Sequence, residues 1–266
     1  MNNQVLIKFI ISIARVSRFG TRGIIRKFFI SVLRKLTNET GNIKLNINQV
    51  PFIIYFDTDF KAIFENYDLR EINFLIHNLE KDGAFIDIGA NYGYYSQTLS
   101  YHNLVNKIIS IEPNKKFLPR IQNNFSLLLD HKKKISPIIV ENLAVSDTNE
   151  YTYLNLELGL GSAYLQKEES LKSIKISSDT LVNILSKNNI KKISGIKIDV
   201  EGHEDKALIP FFNGASKELY PKIILIEYTS KINWSLDVIA YLKELGYEEQ
   251  FRTKANMALK LETKLC

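Results

Sequence analysis

A predicted strand, turn and helix near residues 84–101 contain residue types that suit ligand binding. The apolar segment 84–88 includes Asp87 near its end, and Gly89 and Gly93 follow at the spacing Asp-x-Gly-x-x-x-Gly. Because glycine has no Cβ atom, the backbone of such a turn can approach a ligand closely. The spacing differs from the Gly-x-Gly-x-x-Gly of dinucleotide-binding proteins and lacks the Gly-Lys-Ser/Thr ending of a P-loop.

A second acidic residue, Glu112, follows the next predicted strand at 107–111. It lies about 20 residues beyond the glycine turn, where a carboxylate at a strand end accepts hydrogen bonds from both hydroxyls of a ribose. Asp87, in turn, suits a ligand with a cationic amino-acid end. The two acids together predict a site for S-adenosylmethionine, whereas two glycines near a strand end by themselves often form only a plain tight turn.

Strands and helices alternate along the sequence, which predicts an α/β fold with a mostly parallel sheet covered by helices on both faces. The predicted strands lie at 43–56, 84–88, 107–111, 137–145, 151–156, 173–177, 194–199 and 222–228, before a hairpin at 247–261. The predicted helices lie at 65–80, 93–101, 115–129, 179–187, 203–212 and 234–245. Ligands of such sheets bind beyond the carboxyl ends of the strands. Four acidic residues fall at these ends: Asp87, Glu112, Asp199 and Glu227.

Four motifs follow one another between residues 65 and 230. They read Ile86-Asp87-Ile88-Gly89-Ala90-Asn91-Tyr92-Gly93, Ile111-Glu112-Pro113, Asn142-Leu143-Ala144-Val145-Ser146-Asp147 and Ile196-Lys197-Ile198-Asp199-Val200-Glu201-Gly202-His203-Glu204. Together they resemble the FkbM-type family of S-adenosylmethionine-dependent methyltransferases, and the fourth motif is the most specific. The resemblance implies a Rossmann-like, seven-stranded methyltransferase fold. It also implies methyl transfer to oxygen, often to a sugar or polyketide hydroxyl in bacterial pathways.

The resemblance assigns the binding of the cofactor, S-adenosylmethionine, to the first three motifs. The residues implied are Asp87, Gly89, Asn91, Gly93, Glu112, Asn142 and Ala144. We expect Asn91 to line the methionine end of the cofactor. Asn142 and Ala144 are expected beside its adenine.

The fourth motif supplies the residues that we expect to act on the methyl acceptor. The sulfonium methyl carbon is already electrophilic, so the enzyme mainly aligns the acceptor, the methyl group and the leaving sulfur. A sugar hydroxyl is a poor nucleophile, and a base that removes its proton accelerates the transfer. The predicted catalytic residues are Asp199, Glu201 and His203, and the predicted substrate-binding residues are Tyr95 and Glu227.

Structural roles stay open for several of these charged residues. His203 also suits a solvated helix start, Glu204 suits a helix cap, and Lys197 suits pairing with a buried acid. The acids are also able to hold a divalent cation together with substrate hydroxyls. No dedicated ligand set is evident, and we predict no metal site.

Residues 1–40 form a basic arm before the predicted methyltransferase domain at 41–266. The first 36 residues carry eight basic and no acidic residues, which leaves 27 basic and 29 acidic residues in the rest of the chain. An apolar run with basic residues every three to four positions predicts an amphipathic helix, and the run is too short to span a bilayer. Three roles stay open: docking on the domain or a dimer partner, contact with an anionic membrane, or a disordered or nucleic-acid-binding arm.

The single cysteine, Cys266, excludes an intramolecular disulfide and a zinc site built on cysteines. Because nothing indicates an oxidising compartment, we expect a cytoplasmic protein, with peripheral contact to the inner face of the membrane through residues 1–36 left open. The slightly acidic domain is not expected to bind nucleic acid.

These observations predict an S-adenosylmethionine-dependent O-methyltransferase that acts on a hydroxyl of a sugar, glycan or glycolipid. Its expected partner is therefore a small-molecule or glycan acceptor. A methyltransferase for a small secondary metabolite and a non-catalytic scaffold that retains the fold are the alternatives. The intact acids and glycines of the cofactor motifs disfavour the scaffold.

Overall fold

The computed structural model describes residues 3–16, 23–37, 42–55, 68–132, 134–157 and 163–262. The chain forms two compact units, Met1–Arg70 and Glu71–Cys266. Parts of the predicted arm lie outside the described residues, namely 1–2, 17–22 and 38–40. The single cysteine also lies outside them.

Among its described residues, the first unit contains two helices and a β-hairpin. Its elements are α1 (Asn3–Val16), α2 (Gly23–Leu36), β1 (Asn42–Ile47) and β2 (Val50–Tyr55). Asn48 and Gln49 connect the two strands, and both have positive φ angles, as a two-residue hairpin turn requires. The hairpin, which we assigned to the methyltransferase domain from its sequence, belongs to this first unit. None of the helices described here or in the second unit is long and apolar enough to cross a membrane.

The second unit contains a seven-stranded sheet. Its strands are β3 (Ala84–Ile88), β4 (Lys107–Ile111), β5 (Ile138–Glu141), β10 (Ile193–Ile198), β11 (Ile223–Glu227), β12 (Tyr247–Arg252) and β13 (Asn256–Leu261). They are arranged in the order β12-β13-β11-β10-β3-β4-β5. The five neighbouring strands β11, β10, β3, β4 and β5 are parallel. At one edge of the sheet, β13 runs antiparallel to β11, and β12 runs antiparallel to β13. The predicted α/β fold with a mostly parallel sheet is confirmed.

Apolar β-branched residues explain why the central strands lie inside the sheet. Every residue of β3, β10 and β11 is buried, which is typical of parallel strands with both faces covered. The second unit has six α-helices among its described residues: α3 (Leu69–Asn78), α4 (Tyr94–His102), α5 (Leu118–His131), α6 (Leu181–Lys187), α7 (Glu204–Gly214) and α8 (Val238–Glu244). Ile184 of α6 and Phe211 of α7 belong to the same buried apolar cluster as Ile86 and Ile196 of the sheet.

A smaller sheet is built from the segment between β5 and β10 and was not predicted as a separate element. Its strands are β6 (Ala144–Val145), β7 (Tyr151–Asn155), β8 (Tyr164–Gln166) and β9 (Ser173–Asp179), in the order β6-β9-β7-β8. The single strand predicted at 137–145 is therefore wrong. Asn142 interrupts it, because its side chain donates hydrogen bonds to the carbonyl oxygens of Glu112 and Pro113. The chain then leaves the main sheet, and Ala144 pairs with Ser178 of β9.

Candidate active site

Asp87 lies in the buried interior of the sheet near the end of β3. Its Oδ2 atom accepts hydrogen bonds from the backbone N of Ser96 (3.0 Å) and from the Ser96 hydroxyl (2.6 Å). Its Oδ1 atom is buried and has no hydrogen-bond partner among the described residues. Burial raises the pKa of Asp87, although the positive charge of Lys197 on the neighbouring strand acts in the opposite direction. One carboxylate oxygen is thus left for a donor from a ligand.

Gly89 brings the ends of β3 and β10 into direct contact. Its φ angle is 77°, and a Cβ atom at this position would lie 1.9 Å from the carbonyl oxygen of Asp199. The backbone N of Asp199 also donates to the carbonyl of Ile88 (3.0 Å). We expected this glycine to let the backbone approach a ligand, but the close approach is to the neighbouring strand. The N–H groups of Gly89 and Ala90 both donate to the carbonyl of Ile111.

Glu112 is buried at the end of β4 and holds the glycine turn. Its Oε2 accepts from the backbone N of Asn91 and its Oε1 from the backbone N of Asn114, each at 2.8 Å. Burial raises the pKa of Glu112 to about 7, and these two hydrogen bonds oppose the rise. Because each carboxylate oxygen accepts two bonds, each has capacity for one further donor.

The remaining predicted cofactor residues differ in what their side chains do. Gly93 precedes α4 with a φ angle of 85°, a left-handed conformation that favours glycine. Asn142 donates to the carbonyl oxygens of Glu112 (2.8 Å) and Pro113 (3.0 Å), so it lies next to Glu112. Ala144 is buried in the apolar cluster of the smaller sheet. Its side chain therefore has a packing role.

Three buried polar atoms at these strand ends test whether the residues fit S-adenosylmethionine. Asp87 Oδ1, Asn91 Oδ1 and Asn114 Nδ2 are all buried without a hydrogen-bond partner among the described residues. Buried polar groups are normally paired, so such atoms mark a place where a ligand supplies the partner. Two acceptors and one donor, together with the spare capacity of Glu112, suit the ammonium and the hydroxyls of S-adenosylmethionine. The residues therefore fit the cofactor: Asp87 and Asn91 suit its amino-acid end, and Glu112 suits its ribose.

Glu201 lies in the turn between β10 and α7 in an unusual backbone conformation. Its φ angle is 55°, which is a left-handed conformation that is uncommon for residues other than glycine. Burial, together with the negative charges of Asp199 and Glu227, raises the pKa of Glu201 to about 7. A carboxylate with such a pKa is half protonated near neutral pH, which suits a group that accepts a proton.

Glu227 ends β11 and is buried. Its Oε1 accepts hydrogen bonds from the backbone N of Thr229 (2.8 Å) and from the Thr229 hydroxyl. Its Oε2 is buried and unpartnered within the part of the chain that the structure describes. Asp199 is about one-third exposed. The negative charges of Glu227 and Asp199 both act on Glu201, so these three carboxylates interact electrostatically.

Glu204 belongs to the same motif but has a structural role. Its side chain is fully buried, and its Oε1 accepts from the backbone N of Val200 (2.9 Å). Its Oε2 accepts from the indole Nε1 of Trp234 (2.6 Å). The carboxylate thus joins the turn before α7 to the segment after β11. The sequence suggested only a helix cap, because nothing local indicates that Trp234 comes close.

His203 immediately precedes α7 and contacts the segment that follows β6. Its Nε2 lies 3.1 Å from the Oγ atom of Ser146. The Ser146 hydroxyl donates to Asp147 Oδ1 (3.2 Å). Burial lowers the pKa of His203, although the charges of Asp205 and Asp147 oppose the shift, so the neutral imidazole predominates at pH 7. The polar contact of this histidine is with Ser146, whereas the charges that act on Glu201 come from Asp199, Glu227 and Glu204.

Lys197 is a buried lysine that links the turn after β3 to the residue after β10. Its Nζ donates to the carbonyl of Gly89 (3.3 Å) and to Asp199 Oδ2 (3.4 Å). The same atom lies 5.4 Å from the ring centroid of Tyr95, which is itself buried. The pairing of Lys197 with an acid, which the sequence left open, is therefore observed. Tyr95 lies beside this lysine.

Metal ligands were considered among the same acids. Within the described ranges, no group of three or more histidine, cysteine, aspartate or glutamate residues could hold a metal ion.

Comparisons with known proteins were made for sequence and for structure. The model of the methyltransferase FkbM domain family matches residues 87–249, which is more than half of the chain. A comparison with curated proteins gives no match.

Similar solved structures include the FkbM methyltransferase from Methylobacillus flagellatus, with 16% identity and a TM-score of 0.47 over 76% of this chain and 55% of that chain. The Pyrococcus abyssi tRNA (uracil-54, C5)-methyltransferase has 12% identity and a TM-score of 0.45 over 82% of this chain and 43% of that chain. This chain thus spans about half the length of both proteins. The precorrin-6y C5,15-methyltransferase from Geobacter metallireducens has 12% identity and a TM-score of 0.46, over 77% and 94% of the two chains.

The matched range includes Asp87, Glu112 and the string at 197–204, on which the resemblance was based. The predicted cofactor, S-adenosylmethionine, fits the buried hydrogen-bonding atoms of Asp87, Asn91 and Asn114. The chain belongs to the FkbM methyltransferase family.

Proposed function

We propose that this methyltransferase transfers the methyl group to a hydroxyl oxygen of a sugar, glycan or glycolipid, with Glu201 as the general base. The observation that carries the proposal is the raised pKa of Glu201, about 7, in a turn with left-handed backbone. A hydroxyl group needs a base at the moment of attack, and a base works best when its pKa is near the working pH. Strained backbone conformations also occur preferentially at functional sites.

The neighbouring acids support a polyhydroxylated acceptor. S-adenosylmethionine supplies an electrophilic methyl carbon when it is bound. Carboxylate oxygens only accept hydrogen bonds when ionised, and a sugar offers several hydroxyl donors on adjacent carbons. Glu227 contributes a buried oxygen without a partner among the described residues, and Asp199 is partly exposed. In the proposed complex these two residues orient the acceptor, and Glu201 takes the proton of the hydroxyl that is methylated.

Lys197 has a positioning role in this proposal. Its ammonium lies within 3.4 Å of Asp199 and is hydrogen-bonded to the carbonyl of Gly89. It therefore links the Asp199 carboxylate to the turn that follows Asp87. We assign no proton transfer to Lys197.

The proposal is tested by methyl transfer from S-adenosylmethionine with a radiolabelled methyl group to a panel of monosaccharides, oligosaccharides and glycolipids. Mass spectrometric fragmentation then locates the methyl group on oxygen. We expect Glu201→Gln to lower kcat roughly 100-fold or more, because a positioned general base contributes about that factor. The exposed Glu168→Gln serves as the matched control and should keep full activity. Transfer to nitrogen, or an unchanged kcat in Glu201→Gln, would contradict the proposal.

The pH profile separates a base from a merely structural carboxylate. A base must be deprotonated, so kcat/KM should rise with pH and level off above about 7, the pKa of Glu201. Glu227→Gln removes a negative charge that raises this pKa. The rising limb should therefore move to lower pH in Glu227→Gln and stay in place in Glu168→Gln. A limb that does not move in Glu227→Gln would exclude Glu201 as the titrating base.

A further inference from the structure

The outer sides of α1 and α2 expose large apolar side chains. Val5 and Phe9 on α1, and Ile24 and Phe28 on α2, are each more than half exposed. Within each pair the two residues are four positions apart, so they lie on the same side of their helix. The opposite side of α1 is also apolar, since Ile7 is buried. A surface helix of a globular protein normally has a mainly polar outer side, whereas α1 exposes Val5 and Phe9 there.

Lysines accompany these apolar residues on the same exposed sides. Lys8 lies three positions after Val5, and Lys27 lies three positions after Ile24. Both lysines are exposed, and so is Lys35 in the last turn of α2. The first 36 residues contain no acidic residue, so no negative charge of this segment balances them.

We propose that α1 and α2 together form a surface that binds an anionic lipid bilayer. In this arrangement the helices lie in the plane of the interface, Phe9 and Phe28 enter the boundary between head groups and acyl chains, and the lysines face lipid phosphates. The inference does not depend on the identity of the methyl acceptor.

Other partners fit the same surface less well. A nucleic acid would satisfy the lysines but would leave Phe9 and Phe28 in water. A second copy of the chain would bury the phenylalanines but would bring two acid-free segments, each with eight positive charges, against each other. An anionic bilayer supplies both an apolar layer and negative charge.

The test uses the full chain and measures flotation with vesicles of phosphatidylcholine alone or with about one-third phosphatidylglycerol. We expect binding to the anionic vesicles, a decrease at high salt and little binding to the neutral ones. The triple variant Lys8→Gln, Lys27→Gln, Lys35→Gln should bind roughly 100-fold more weakly, since each lysine near an anionic surface contributes about a factor of five. A matched variant that neutralises the exposed Lys167, Lys217 and Lys254 should bind like the unmodified chain.

The apolar contribution is tested separately with Phe9→Ser combined with Phe28→Ser. This variant should bind at least roughly 10-fold more weakly. Leu171→Ser combined with Ile232→Ser, which changes two highly exposed apolar residues of the second unit, should have no effect. Binding of S-adenosylmethionine and the melting temperature verify that each variant is folded.

Three outcomes would overturn the proposal. The first is absence of vesicle binding by the unmodified chain, and the second is equal binding to neutral and anionic vesicles. The third is unchanged binding in the phenylalanine variant. A dimer seen by light scattering that dissociates in Phe9→Ser with Phe28→Ser, without vesicle binding, would assign the surface to a second copy instead.

Discussion

At the level of single residues, the acids of this site differ in how many of their oxygens the protein already uses. Glu204 has both oxygens engaged, by Val200 and by Trp234, and is therefore part of the scaffold. Glu227 has one oxygen engaged by Thr229 and one buried oxygen with no partner among the described residues. Sequence motifs place all of these acids at the sheet edge equally. Only the hydrogen bonds distinguish an acid whose two oxygens the protein already uses from one with an oxygen that has no partner among the described residues.

The role of Glu112 leads to a prediction about cofactor affinity. Glu112→Ala should weaken the binding of S-adenosylmethionine and S-adenosylhomocysteine roughly 10- to 100-fold, because it removes the carboxylate that we expect to accept hydrogen bonds from the ribose hydroxyls. Calorimetric titration of the variant measures this directly. Glu244→Ala changes an exposed glutamate on α8 and should leave the affinity unchanged. Equal affinity in Glu112→Ala and the unmodified chain would show that the cofactor does not contact this carboxylate.

Glu201 should also affect stability, with a sign that depends on pH. Its pKa is raised from 4.5 in the unfolded chain to about 7, so the folded state binds the proton more tightly. That contribution to stability is fully present below pH 4.5 and is lost as the pH rises through 7. Glu201→Gln cannot ionise, and its melting temperature should exceed that of the unmodified chain at about pH 8 but match it at about pH 4.5. A variant that melts at a lower temperature than the unmodified chain under the alkaline condition would refute this account.

At the level of elements, the contact between Gly89 and Asp199 fixes where β3 and β10 end relative to each other. A Cβ atom at residue 89 would overlap the Asp199 carbonyl oxygen, and backbone atoms cannot move aside as side chains do. The cofactor turn and the acid-containing turn are thus parts of one rigid junction. Lys197 adds a side-chain link across the same junction.

Gly89→Ala should therefore destabilise the fold by more than about 2 kcal/mol, from the steric overlap and the positive φ angle. Gly214→Ala is a matched control at the end of α7, where a Cβ atom would meet only Val182 at 3.8 Å. This control should change the free energy of unfolding by less than about 1 kcal/mol. Denaturant unfolding of the two variants measures both values. Similar stability in both variants would mean that the strand ends can separate without loss.

Elements were predictable where local patterns determine them. The strands at 84–88 and 107–111 were predicted with the observed bounds, because each is an apolar run that ends at an acid or polar turn. The predicted helix at 234–245 begins later, at Val238, because the Asp237 side chain accepts from the backbone N of Ile239 and Ala240. The predicted strand at 137–145 was wrong because Asn142 bonds to carbonyls some 30 residues away in sequence, a contact that no local pattern indicates.

The site residues were likewise predictable from local motifs and strand order, but not where contacts between distant segments position them. The family motifs located Asp87, Glu112 and Asp199 at neighbouring strand ends, because parallel strands bring their carboxyl ends to one edge. The link from Glu204 to Trp234 and the contact of His203 with Ser146 join distant segments. Such contacts depend on how the loops pack, and sequence spacing does not determine them.

At the level of the whole molecule, the order of the strands should determine how the sheet of the second unit opens. β10 and β3 are central and buried along their whole length, whereas β5 and β12 form the two edges. Backbone amides that are central and buried exchange with solvent mainly through global unfolding, whereas edge strands also open locally.

Hydrogen exchange measured by mass spectrometry should therefore show the slowest exchange in β3 and β10 and faster exchange in β12. Addition of S-adenosylmethionine should slow exchange in the turn after β3, because we expect the cofactor to bind Asp87 and Asn91 there. Exchange in β12 that is as slow as in β10 would be inconsistent with the expected order.

The contact between Gly89 and the Asp199 carbonyl also limits how descendants of this sequence can diverge. Every amino acid has a carbonyl oxygen, so no substitution at 199 can make room for a side chain at 89. Among the described residues, the Glu227 carboxylate is hydrogen-bonded only to Thr229, so the fold places no such constraint on it. If Glu227 orients the acceptor as proposed, descendant enzymes acquire new acceptors by changes at 227 while position 89 stays glycine and the turn after β3 is inherited unchanged.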